Sequence, residues 1–182
     1  MKAKNSRYRL QANQILGTSF AKICRDGAIT IEDGFIVEIS ENIPLDPAIK
    51  NRIICPCLMD AHTHLFLSGT PDMTFRKKQQ TFTEVEIQKQ IKAHIQIAMS
   101  HGVLAVRDMG DVNNFLHKIS LPKSFQVINT GPGYCVKGRY GQFLAISLSH
   151  MKDLPQAVSQ NTFATQWIKI IQSDMNSLTN FK

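Results

Sequence analysis

The spacing of apolar and polar residues changes character near residue 53. Before it, "GAITIEDGFIVEISENI" (27–43) sets β-branched residues in imperfect alternation with polar ones on either side of Asp33-Gly34, which predicts two short strands joined in a hairpin. Residues 1–52 therefore read as a small β-rich unit. From 53 onward apolar runs alternate with helical patterns. "RIICPCLMDAHTHL" (52–65), "VLAVRD" (103–108), "SFQVINT" (124–130) and "QWIKIIQS" (166–173) are strand-like, and "TEVEIQKQIKAHIQIAMSHG" (83–102) is helical.

Thr83 followed by Glu86 is a capping-box pattern, and Gly102 stands where a helix end wants a left-handed residue. Between them Ile87, Ile91, Ile95 and Ala98 form a stripe at helical spacing, with Lys89, Lys92 and Gln96 off it. A strand, such a helix and a second strand imply a right-handed crossover and parallel pairing. Four strands of this kind make a doubly wound sheet or part of a β/α barrel.

Composition narrows the class. The chain has 182 residues, 43% of them hydrophobic, enough for a core in one domain or a domain with an appendage. The basic N-terminus is not followed by an apolar run, and no stretch of about 18 apolar residues occurs, so a soluble cytoplasmic protein without a membrane partner is expected. Cys24, Cys55, Cys57 and Cys135 lack a disulfide-framework spacing and suit reduced thiols. The net charge of +7 raises the question of nucleic acid. Its clusters are Lys2, Lys4, Arg7 and Arg9, and Arg76, Lys77 and Lys78 in an expected loop, neither interleaved with stacking aromatics. Solvated surface charge is the better reading of a basic module.

The chemistry is concentrated in Asp60, His62 and His64. On a regular strand these alternate residues share a face, and two imidazoles there can converge on one cation such as Zn²⁺. The competing reading is a polar strand end with two partly exposed histidines. Cys55 and Cys57 raise a structural Cys2His2 site, but the two pairs lie on one extended segment without the intervening loop such sites use. Both cysteines are read as small buried apolar residues. Lys169 lies among Trp167, Ile168, Ile170 and Ile171, a costly setting for an unpaired ammonium unless it reaches solvent from a sheet edge. His94, His101, His117 and His150 have no partner spacing and read as helix or loop histidines.

"IICPCLMDAHTHLFLSG" (53–69) resembles the first-strand signature of the amidohydrolase superfamily, apolar-Pro-Gly-Leu-Ile-Asp-x-His-x-His-Leu. "GVLAVRDMGD" (102–111), "GPGYCVKGRYG" (131–141) and "QWIKII" (166–171) are similar to the second strand, the glycine-rich loop after the third strand and the fourth strand of its imidazolonepropionase- and prolidase-like branch. "DGAITIEDGFIVEI" (26–39) resembles the small sandwich that leads into these enzymes.

The resemblance implies an α/β chain. About the first four strands of a TIM-like (β/α) barrel would occupy 53–182, behind a partial β-sandwich over 1–52. It implies a divalent metal centre of one or two ions, Zn²⁺ by preference, that hydrolyses amide or cyclic amide bonds of small peptide-like substrates. His62 and His64 would bind metal, and Lys169 would match a lysine that CO2 carbamylates into a bridge. Asp60 would support the ligands, while Arg107, Asp108 and Tyr140 are substrate-loop candidates; for Arg107 and Asp108 an internal ion pair is the alternative, for Tyr140 plain exposure. Cys57 stands where the signature has glycine, which would strain the backbone if a positive φ is needed there. The family's remaining histidines and catalytic aspartate would lie beyond Lys182. The expectation is thus either the N-terminal part of a hydrolase or an inactive chain that binds metal, a further copy or a complementing chain.

Overall fold

The computed structural model describes residues 6–17, 23–49, 51–161, 165 and 167–172. Lys2 and Lys4 of the basic N-terminal cluster lie outside them, as do Gln166 and Ser173 at the ends of the fourth expected strand. The chain divides into two compact units, Met1–Pro56 and Cys57–Lys182.

The first unit is one four-stranded sheet in the order β3-β2-β1-β4, built from β1 (Arg7–Leu16), β2 (Ile23–Glu32), β3 (Phe35–Ser40) and β4 (Ile53–Ile54). β2 and β3 are antiparallel, and the turn between them holds Asp33 at φ 50° and Gly34 at φ 85°. Two successive positive φ values match the twist of a tight hairpin, which is why the Asp-Gly pair is legible in sequence. Ala12, Ile15, Cys24 and Ile29 form its small core. The expected sandwich is a single layer among the described residues, and Phe35, Ile36, Val37 and Ile39 are exposed.

The second unit contains two parallel sheets. One orders β5 (Leu58–Thr63), β6 (Val103–Asp108) and β7 (Gln126–Asn129); the other orders β10 (Ile170–Ile171), β8 (Gly133–Val136) and β9 (Ala145–Leu148). The four expected strands therefore do not make one continuous sheet. The chain breaks at 130–132 between β7 and β8, and β10 pairs with β8 rather than β7. Part of the expected glycine-rich loop is thus strand, and neither sheet is closed among the described residues.

Two helices follow β5: α1 (Met73–Gln79) and α2 (Glu84–Ser100), with α3 (Leu154–Ser159) later in the chain. Arg76, Lys77 and Lys78 sit in the last turn of α1, not in a loop, because Asp72 caps that helix by accepting from the Thr74 and Phe75 amides. α2 carries the expected capping box between Thr83 and Glu86, and Gly102 follows it at φ 80°. Its Ile87, Ile91 and Ile95 enter a core with Leu65, Val106, Phe115, Leu116 and Cys135. A short 3-10 turn, Phe115–Lys118, lies between β6 and β7.

Cys55 and Cys57 are exposed rather than buried. They flank Pro56 between β4 and β5, outside the strands, and belong to neither core cluster, although Cys55 borders a cavity lined by Ile15, Cys24 and Ile29. Cys57 is not among the residues with positive φ, so its replacement of the signature glycine strains no left-handed backbone. No helix among the described residues is long and apolar enough to cross a membrane.

Ile91 is 0% exposed and Val85, on the same helix, 75%. Ile91→Ala should lose about 2–5 kcal/mol in urea unfolding, against no more than about 0.5 kcal/mol for Val85→Ala.

Candidate metal and hydrolase site

β5 reaches the site through an irregularity. Asp60 pairs with Val106 and Thr63 with Asp108, so three steps on β5 answer two on β6. The extra residue breaks the strict alternation on which Asp60, His62 and His64 were expected to share a face. Asp60 instead lines a groove against α2 with His94, Ile97 and His101, whereas His62 faces a different cleft; His64 borders both. The Asp60 carboxylate turns back along the chain and accepts the His62 backbone N–H at 2.9 Å.

Beyond Thr63 the chain leaves the strand ladder, and side chains satisfy its backbone. Asp108 Oδ2 accepts the Leu65 amide at 2.7 Å. The Leu65 carbonyl meets His94 Nδ1 at 2.8 Å, and the Phe66 carbonyl accepts from both Gln79 Nε2 and Gln90 Nε2 at 2.7 Å. Gln79 Oε1 accepts the Ser68 amide at 3.1 Å. These partners come from α1, α2 and β6, so the segment carrying His64 is fixed from three sides.

The His64 ring lies 5.8 Å from that of His62, centroid to centroid, with the planes at 65°. Its Nδ1 is 2.9 Å from the Gly110 carbonyl oxygen. A carbonyl only accepts, so Nδ1 carries the proton, and in the neutral imidazole Nε2 keeps its lone pair. Burial pushes the His64 imidazole below its ordinary value; the Gly110 bond opposes this, and the Lys169 and His62 charges add to it.

Lys169 completes the cluster, with its Nζ 3.5 Å from His62 Nε2. Two features of β8 place it. The Tyr134 amide donates to the Lys169 carbonyl at 2.9 Å, and a Cβ on Gly133 would stand 3.1 Å from Lys169 Cγ, so the bare glycine lets the lysine stem pass. His62, His64 and Lys169 line one cleft of about 440 Å³ with Leu67, Arg76 and Tyr140.

Tyr140 thus reaches this cleft, where it packs edge-on against Phe143. Arg107 and Asp108 do not pair with each other. The Arg107 guanidinium lies 4.2 Å over the Trp167 ring, while Asp108 is 1% exposed and accepts the Leu65 and Gly110 amides. Burial pushes the Asp108 carboxyl up to about 6, against its two amide bonds, with the nearby Asp111 charge adding to the rise. Sequence reasoning read Arg76 as surface charge and His94 as a helix or loop histidine, did not single out Gln79 or Gln90, and so placed none of the four at the site. Gln90 and His94 had a visible signal: they fall on the same helical stripe as Ile87, Ile91 and Ile95, where a polar side chain needs a buried partner. Among the described residues no group of three His, Cys, Asp or Glu side chains is placed to hold a metal.

This chain is similar to an amidohydrolase structure at a TM-score of 0.62 and 16% identity, covering 91% of this chain and 46% of that one. Over nearly its whole length the chain has the fold of part of that structure. A prolidase complexed with N-methylphosphonate-L-proline gives 0.59 at 17% identity over 91% of this chain and 46% of that one. The ochratoxinase of A. niger gives 0.55 at 14% over 94% and 42%. The chain thus spans less than half the length of these neighbours. No protein-family model matches the sequence, and no curated protein sequence does.

The raised carboxyl of Asp108 has a pH signature. The folded state holds that proton more tightly than the unfolded chain, so the stability Asp108 contributes is complete below 3.8 and lost as the pH rises through about 6. Asp108→Asn should remove this downward slope, whatever it does to the overall level. Urea unfolding of both proteins from about pH 4 to about pH 7 checks it, and a difference between them that stays constant with pH would contradict it.

Proposed function

We propose that this chain supplies the first-strand histidines and the lysine of a metal-dependent hydrolase that cleaves C–N bonds in small amide or peptide-like substrates. In this reading residues 53–182 are the first strands of a β/α barrel and 1–52 part of its lead-in sandwich. The observation that carries it is the convergence of His62, His64 and Lys169 on one cleft, with 3.5 Å between the amine and His62 Nε2. The similarity in fold to the amidohydrolase and the prolidase supports it.

The donor set fits a divalent cation in part. His64 is held with a free Nε2 lone pair, and neutral imidazole is the form that binds metal. A cation there, Zn²⁺ by preference, supplies Lewis acidity that lowers the pKa of water and polarises a carbonyl. The protein's own part is to hold and orient. Asp60 fixes the His62 backbone, and Gly110 fixes the His64 ring. Addition of the neutral Lys169 amine to CO2, with loss of a proton from nitrogen, would replace an amine beside His62 with a carboxylate-like acceptor. Tyr140 and Arg76 border the same cleft, where a substrate's polar groups would meet them.

A second reading, a metal- or partner-binding chain without turnover, is favoured by the small ligand set, two imidazoles and one lysine among the described residues. One set of measurements on residues 1–182 separates these readings. Zinc titration should show saturable binding that weakens at least about 10-fold in His62→Ala and in His64→Ala. With bicarbonate and zinc, intact mass should rise by one CO2, an increment lost in Lys169→Arg. Zinc-dependent release of amine from N-acyl amino acids, dipeptides or cyclic amides would establish hydrolysis; zinc binding without release would establish the second reading. Zinc binding indifferent to both histidine variants would contradict both.

A further inference from the structure

Asp108 accepts two backbone amides, one on each side of the His64 contact. Its Oδ2 accepts the amide of Leu65, the residue after His64, and its Oδ1 accepts the amide of Gly110, the residue whose carbonyl meets the His64 ring; both bonds are 2.7 Å. One buried carboxylate therefore grips both sides of the His64 contact. The Gly110 side has no freedom to adjust. Gly110 sits at φ 74°, and a Cβ there would fall 1.7 Å from the Gly131 carbonyl oxygen, so the loop is pressed against the start of the β7–β8 break. Two further backbone bonds hold the frame: Met109 N–H donates to Thr63 at 2.8 Å and Thr130 N–H to Asp108 at 3.1 Å.

We infer that Asp108 is a positioning residue for His64: by holding Gly110 and Leu65 together it fixes the imidazole as the tautomer protonated on Nδ1, with the Nε2 lone pair free for a ligand. A carboxylate is needed because both of its oxygens accept. Asparagine offers one accepting oxygen, and its amide nitrogen would confront the other backbone N–H. The role of Nε2 as a ligand rests on the function proposed above, but the tautomer does not, and it is measured without metal.

The test is long-range proton–nitrogen correlation of ring-labelled histidine in metal-free residues 1–182, above the imidazole titration range. Wild-type His64 should show a single tautomer, protonated on Nδ1. Asp108→Asn and Asp108→Ala should turn it into an exchanging mixture while the methyl shifts of Ile91 and Ile95 stay native. A wild-type His64 protonated on Nε2, or one whose tautomer is unchanged in both variants, overturns the inference. The wild-type result decides the first point even if a variant fails to fold. Zinc affinity should fall about 10- to 100-fold in Asp108→Asn, the range for loss of a partner that orients a ligand. An Nδ1 tautomer in the wild type that is lost in the Asp108 variants, together with no zinc affinity, would support the clamp and count against the functional reading alone.

Discussion

The second unit depends on how the backbone of residues 64–66 is satisfied after it leaves β5. Buried peptide groups without partners cost roughly 1–3 kcal/mol each, and here the ladder has ended. Asp108, His94, Gln79 and Gln90 take over the hydrogen bonding. Each of these side chains comes from an element that must already be packed. The isoleucine stripe of α2 is what brings Gln90 and His94 to the carbonyls of Phe66 and Leu65. Core burial and site geometry are therefore one arrangement, in which apolar packing supplies the driving force and the polar contacts fix the direction.

The same constraint explains why the two histidines differ. His64 is half-buried and bonded to Gly110, and burial pushes its imidazole below the ordinary value. His62 sits in the irregular stretch of β5, exposed, and its ring nitrogen meets the Lys169 amine. One ligand candidate is thus set by the scaffold, and the other by a contact made across more than a hundred residues of sequence. Gly133 matters to the second as Gly110 does to the first: in each case the absence of a side chain lets another segment approach.

Local signals were legible wherever the physics is local. The Asp33-Gly34 turn, the Thr83/Glu86 capping box, Gly102 and the α2 stripe all rest on interactions within a few residues, and each is present in the structure. What sequence could not show depends on distant partners. The break at 130–132 that moves β10 onto β8, the bulge that turns Asp60 away from His62, and the exposure of Cys55 and Cys57 all follow from what packs or fails to pack beside them. The histidine motif was readable as residue types at a spacing. That Lys169 would stand next to His62 came only from the resemblance, and the structure places the two together.

The central claim is that His62 and His64 present one ligand face. Anomalous diffraction at the zinc edge, on crystals grown with zinc, tests it most directly. The account predicts an ion about 2.0–2.1 Å from a ring nitrogen of each histidine, with Lys169 beside it. An ion ordered away from both histidines, or bound to one with the other turned away, would contradict it.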